Sequence, residues 1–287
     1  MDLVYEQVMN ILLTNDDGIY APGLWALHRR FSIDHTVTVV APDRERSAVG
    51  HGITLHEPLR AARIRVNGEG RGYAVNGTPA DCIKLSVMEI LKTRPDMVIS
   101  GINPGANVGI NAHYSGTVAA AREAALLGLA ALAVSIDCHE PAFLEEAAAF
   151  IEGLAGLVKE KGLPRGVFLN INIPNIPIKT IHGVSISSQG ISVSREGFEK
   201  RVDPRNRTYY WQELESPADF RGSDMDGRVL SRESISITPM RCDMTDYEVM
   251  ADLKSWDIDL PESDAPNDQL KIRNPKHEIR NGEIKQP

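Results

Sequence analysis

The first half of the chain alternates short runs of aliphatic and β-branched residues with stretches whose apolar positions recur every three or four residues. Asn10–Thr14 and Thr36–Val40 read as strands. Between them Pro22 suits a first helical turn, and Leu24, Leu27, Arg30 and Phe31 follow at helical spacing. Further on, Thr78-Pro79-Ala80-Asp81 supplies an N-cap residue, a proline at the first helical position and an early carboxylate, ahead of an apolar-periodic run from Ile83 to Leu91. Met97–Ser100, Leu132–Ile136 and Phe168–Ile173 read as further buried strands, with helices predicted over Val118–Leu127 and Phe143–Val158. Strand and helix in alternation predict an α/β fold: a parallel sheet with helices on both faces. Ile53–Val75, alternating around Gly68 and Gly70, reads as a hairpin inserted on the surface.

After Pro174 the rhythm changes to proline breaks, the alternation of Val184 and Ile186, that of Ser231–Thr238, and the aromatic cluster Tyr209, Tyr210 and Trp211. The expected organisation is a catalytic domain over residues 1–174, a β-rich C-terminal extension over 175–254, and a polar tail over 255–287 with little to bury. Tyr209, Tyr210, Trp211, Ile235 and Ile237 offer apolar surface beyond the βα series, for the first domain or for a neighbouring subunit. A subunit interface is the expectation, because closed twofold assemblies are the commonest outcome.

Composition narrows the partners. A formal net charge of −8 leaves no broad basic face for a nucleic acid polymer. A small phosphate ester stays open, since a bound cation can supply local positive charge. Cys82, Cys138 and Cys242 are odd in number and widely spaced, as reduced thiols in a cytoplasmic protein would be. No apolar run approaches the length of a membrane span, and the start lacks the pattern of a secretory leader. Met9 directly precedes the first strand, so the first eight residues read as an optional extension or an upstream start.

In an open parallel sheet ligands bind beyond the carboxyl ends of the strands. The first strand ends in Asn15-Asp16-Asp17-Gly18, the second runs into a loop with Asp43 and Ser47, and the Met97 strand runs into Gly101-Ile102-Asn103. Adjacent carboxylates at a strand mouth repel each other unless a proton or a cation intervenes. Asp16, Asp17, Ser47 and Asn103 together make a hard-oxygen set, suited to one Mg²⁺ or Mn²⁺ ion. Ser115-Gly116-Thr117 opens an alanine-rich helix, so backbone N–H groups would face an anion there. Asn15, Ser115, Gly116 and Thr117 are therefore the candidate phosphate-binding residues, with Asp16 and Asp17 the candidate catalytic pair. His51 and His113, near the same loops, are candidates to protonate a leaving group, although a loop histidine is more often solvated or structural. No dinucleotide fingerprint, P-loop, zinc-protease or nucleophile-elbow pattern competes.

The strings ILLTNDDGIYAPG, VVAPDRERSAVGHGIT, NGTPADCIKL, MVISGINPGANVG and YSGTVAAAREA, in that order, resemble the SurE family of 5′/3′-nucleotidases. The likeness runs from Met9 to about Tyr247, through SISITPM and DMTDY. It implies a Rossmann-like domain, a divalent metal on Asp16, Asp17, Ser47 and Asn103, and hydrolysis of nucleoside 5′- or 3′-monophosphates to nucleoside and phosphate. It also implies a homodimer or homotetramer assembled through the C-terminal segments. Ala119 departs from the glycine the family often carries after SGTV. Two other classes fit the residues: a nucleotide-dependent transferase, and a non-catalytic nucleotide-binding protein.

Overall fold

The computed structural model describes residues 8–66, 68–191, 197–212, 224–256 and 258. A first compact unit ends at Cys242, and a second begins at Asp243. Strand β1 (Asn10–Thr14) leads to α1 (Pro22–Phe31) and β2 (Thr36–Pro42), then to β3 (Ala61–Val66), β4 (Gly70–Val75) and α2 (Pro79–Leu85). Next come β5 (Met97–Pro104), the single turn α3 (Asn111–Tyr114), α4 (Gly116–Leu126), β6 (Ala130–Asp137), α5 (Leu144–Lys161) and β7 (Val167–Pro174). The remaining elements of the first unit are β8 (Val184–Ile186), β9 (Phe198–Val202), β10 (Thr208–Gln212), α6 (Asp226–Leu230) and β11 (Ile235–Arg241). In the second unit α7 (Tyr247–Leu253) starts at Asp246, whose side chain accepts from the N–H groups of Glu248 and Val249.

Nine strands form one sheet in the order β3-β4-β2-β1-β5-β6-β7-β11-β8. The run from β4 to β7 is parallel, with β11 antiparallel to β7 and β3 antiparallel to β4. Alternation along each strand divides the core in two. Ile11, Leu13, Ile99, Leu132 and Val134 face α1 and α5, with Leu24, Leu27 and Ile151. Leu12, Val98, Ala131 and Ala133 face α2 and α4, with Ile83, Ala120 and Ala124. The alanines let α4 lie close to the sheet, where each small side chain still removes apolar area from water.

Three expectations change against this frame. The hairpin β3–β4 begins at Ala61 rather than Ile53, and it is no surface insertion: β4 pairs with β2 and extends the main sheet. The helix expected through Leu91 leaves α-geometry at Ser86 for a π-helical turn, Ser86–Ile90. Ile235 and Ile237, offered above as interface surface, are buried in the chain's own core, because β11 pairs with β7 and places them beside Ile171. Among the described residues no helix is long and apolar enough to cross a membrane. Most of the expected polar tail lies outside the described residues.

Candidate active site

The strand ends converge as a parallel sheet requires, and the contacts are specific. At the end of β1 the Asn15 side chain closes the turn on itself: its Nδ2 donates to Gly18 O (3.0 Å) and its Oδ1 accepts from Gly18 N (3.2 Å). Gly18 has φ +96, and a Cβ there would meet the Arg44 backbone at 3.0 Å, so only glycine fits this bend against the β2 loop. Asp16 is almost fully buried and points at the start of α4, where the Thr117 N–H donates to Oδ2 (3.0 Å) and the Thr117 hydroxyl to Oδ1. A Cβ on Gly116 would lie 2.7 Å from the Asp16 Cβ, so the helix end reaches the aspartate only because residue 116 is glycine.

The anion seen at the α4 N-terminus is thus the Asp16 carboxylate. Of the donors expected on phosphate, both from Thr117 are used by Asp16, and the Ser115 hydroxyl caps the helix by accepting from Val118 N (3.1 Å). Burial pushes the Asp16 carboxyl above the usual carboxylate range, while the Thr117 hydrogen bonds pull it back. Asp17 has no such support: burial first, then the charges of Asp16 and Glu45, push its carboxyl up to about 7. Its Oδ2 is buried with no hydrogen-bond partner. A buried, unpaired carboxylate oxygen beside a second carboxylate is the donor arrangement that a hard divalent cation satisfies.

Ser47 and Asn103 approach from the neighbouring strands. The Arg46 N–H donates to Asp16 O (2.7 Å), fixing the loop after β2 one residue before Ser47, which is exposed and donates to Glu45 Oε1. Asn103 owes its side to a bulge in β5. Between Ser100 and Asn103 the strand runs one residue longer than β6: Ser100 pairs with Ala133, and Asn103 with Ser135. Ile99 and Ile102, three apart, therefore both face α1 and α5, which turns Asn103 to the α4 face with Thr117 and Asp16. Asn103 donates to Gly105 O (2.7 Å), and neither it nor Ser47 hydrogen bonds to the two aspartates. Among the described residues there is no group of three or more His, Cys, Asp or Glu fit for a metal, so any ion here would draw on hydroxyl and amide oxygens too.

The family model of the survival protein SurE matches residues 11–196. The chain belongs to the SurE family. A "5′-nucleotidase SurE" of Desulfatibacillum aliphaticivorans is 54% identical over 254 residues, which are 88% of this chain and 100% of that one. Another, from Syntrophobacter fumaroxidans, is 47% identical over 252 residues, 87% of this chain and 100% of its own. The crystal structure of the SurE protein from Aquifex aeolicus has a TM-score of 0.75 at 36% identity, covering 85% of this chain and 98% of that one.

This SurE-family site stands on a polar layer of which the sequence pointed to Asn103 alone; the buried members Ser135, Asn172 and Ser236 were not among the candidates. Asn103, Ser135, Asn172 and Ser236 lie in register across β5, β6, β7 and β11. Asn107, in the loop after β5, donates its N–H to Asn172 Oδ1 (2.8 Å) and its Nδ2 to Ser135 Oγ (2.8 Å), and its carbonyl accepts from Asn170 Nδ2 (2.8 Å). Two residues on, Gly109 N donates to Oδ2 of the fully buried Asp226, whose Oδ1 accepts from Gly190 N and Gly227 N. The available signal was Asn170 and Asn172 alternating with Leu169, Ile171 and Ile173: polar residues at period two inside a strand too apolar to face water.

The two histidines are engaged elsewhere. His51 Nε2 is 2.8 Å from Glu123 Oε2, in the second turn of α4, and this hydrogen bond, with Lys84 nearby, holds the Glu123 carboxyl low. His113 Nε2 lies 3.1 Å from Gln189 Nε2.

The raised Asp17 carboxyl has a measurable consequence. Between its ordinary value of 3.8 and about 7 the native state keeps a proton that the unfolded state has lost. Raising the pH through that interval therefore costs stability. In chelator, thermal unfolding of the wild type should move to lower temperature from about pH 4 to about pH 7 relative to Asp17→Asn, which has no proton to lose there. Parallel profiles for the two proteins would contradict the assignment.

Proposed function

We propose that this chain is a divalent-metal-dependent phosphohydrolase that converts nucleoside 5′-monophosphates, and 3′-monophosphates, to nucleoside and phosphate in the cytoplasm. The observation that carries the reading is the Asp17 Oδ2 atom, buried and unpartnered beside Asp16 at the end of β1. Asp16, Asp17, Ser47 and Asn103 would hold one Mg²⁺ or Mn²⁺ ion. Such an ion neutralises charge on phosphoryl oxygens and lowers the pKa of bound water. The relatives named 5′-nucleotidase SurE support the substrate class.

The chain's own groups set the geometry. Thr117 fixes both oxygens of Asp16, so the carboxylate cannot rotate away from its neighbours. Asn15 locks the turn that carries Asp17, and the bulge in β5 turns Asn103 to the α4 face, where Thr117 holds Asp16. Ser115 and Gly116, at the mouth of α4, border the position a phosphate would take. Phosphate release from AMP should appear on adding Mg²⁺ or Mn²⁺ to chelated protein and vanish with excess chelator. Metal-dependent AMP binding without release would favour a binding protein, and consumption of a nucleotide only with an acceptor present would favour a transferase.

The same reading includes self-association as a homodimer or homotetramer. The β9–β10 hairpin stands apart from the main sheet and leaves Phe198, Val202 and Tyr210 exposed on one face, Tyr209 and Trp211 on the other. A lone two-stranded ribbon is marginal in water, so burial against a second copy would stabilise it. Sedimentation should show an oligomer for the wild type and a smaller species for a Tyr210→Ala/Trp211→Ala variant; a monomeric wild type would refute the assembly.

A further inference from the structure

A cavity of about 340 Å³ lies at the opposite end of the sheet, lined by Arg63, Arg71, Tyr73, Thr36, Thr38 and Lys92 among others. It is remote from the candidate active site: its β1 wall is Asn10 and Ile11, and five residues of extended chain separate Ile11 from Asp16, roughly 16 Å. The charge pattern around it is unusual for this chain, in which acids outnumber bases 39 to 31. None of the residues lining the cavity is acidic.

The register of β3 and β4 concentrates the positive charge. Arg65 stands directly opposite Arg71, and Arg63 opposite Tyr73, so three arginines and a tyrosine share one face of the hairpin. The other face, with Ile64, Val66 and Ala74, packs against the core. Like charges directly opposite on adjacent strands are destabilising unless an anion intervenes. Among the described residues no carboxylate lies within ion-pair distance of Arg63, Arg65, Arg71 or Lys92, which leaves these charges unanswered by the chain itself, as are those of several other surface arginines. The exposed Arg63 guanidinium sits 5.5 Å from the Tyr73 ring centroid, a cation–π contact beside the cavity that both residues line.

We infer that this cavity is a second binding site, for a small molecule bearing several phosphate groups. Two guanidinium forks and an ammonium supply charge-assisted donors for a chain of phosphates, and Thr36 and Thr38 add hydroxyls on the β2 wall. The volume lies in the range of small-ligand sites. The chemistry is common to an inorganic polyphosphate chain and to a nucleoside triphosphate, which would add stacking on the tyrosine.

The site is tested by calorimetric titration of the full-length chain with tripolyphosphate and with ATP, in chelator so that the active site holds no metal. Saturable binding that weakens with added salt is expected for both probes. Arg63→Gln/Arg71→Gln should bind at least about tenfold more weakly, from the loss of two charged donors. Arg63→Lys/Arg71→Lys, which keeps both charges but not the bidentate forks, should bind more tightly than the glutamine variant and more weakly than the wild type, and Asp17→Asn should bind as the wild type does. Tighter binding of ATP would identify a nucleotide site, and equal affinities a site for the phosphate chain alone. The inference is overturned if neither probe binds saturably, if the glutamine variant binds as the wild type does, or if binding is lost in Asp17→Asn.

Discussion

Replacing Asp17 with asparagine should cut phosphate release from AMP at least about 100-fold while the protein remains folded. Loss of a group that merely orients a metal ligand costs about 10- to 100-fold, and Asp17 would be a ligand itself. The substitution keeps the shape of the side chain. It removes the charge that answers a cation, and with it the carboxyl that burial first, and then the charges of Asp16 and Glu45, lift to about 7. The asparagine variant should therefore unfold at the same temperature or a higher one in chelator, while wild-type protein gains more stability from added Mn²⁺. Near-normal turnover in metal-replenished Asp17→Asn would remove Asp17 from the site.

Substituting Asp226 with alanine should cost about 3 kcal/mol or more of folding stability, read from urea unfolding. Three buried N–H groups, on Gly109, Gly190 and Gly227, lose their acceptor together. Gly109 belongs to the loop that joins Asn103 to the α4 N-terminus, so turnover should fall as well. Asp226→Asn keeps one of the two oxygens and should fall between wild type and alanine. A stability change within about 0.5 kcal/mol, as for an ordinary surface position, would show that the loop is held by the asparagine layer alone.

The readable parts of this molecule are those with a local signature. Period-two and period-3.6 patterns placed β1, β2, α1 and α4, and the strand-end rule led from there to Asp16, Asp17 and the start of α4. The partner of the α4 N-terminus was not legible, because Asp16 and Thr117 are 101 residues apart and nothing in either stretch states that they meet. Asp226 has the same difficulty at 117 residues from Gly109, and its environment reads as polar loop. The burial of Ile235 and Ile237 was hidden for another reason: alternation shows that a strand has an apolar face, but not which sheet that face joins. The basic face of the β3–β4 hairpin depends on register, and the run from Ile53 to Val75 places no pair opposite another until its turn is known.

The extra residue in β5 makes the length of this strand a matter of odd and even numbers. Losing one residue between Ser100 and Asn103 would carry the Asn103 amide through the sheet to the α1 face, although the composition of the strand would hardly change. Losing or gaining two would leave it on the correct face, displaced along the strand. Connections at the rim can lengthen or shorten by any count at modest entropic cost. At this point in the sheet a single-residue deletion acts in space as a frameshift acts in a reading frame.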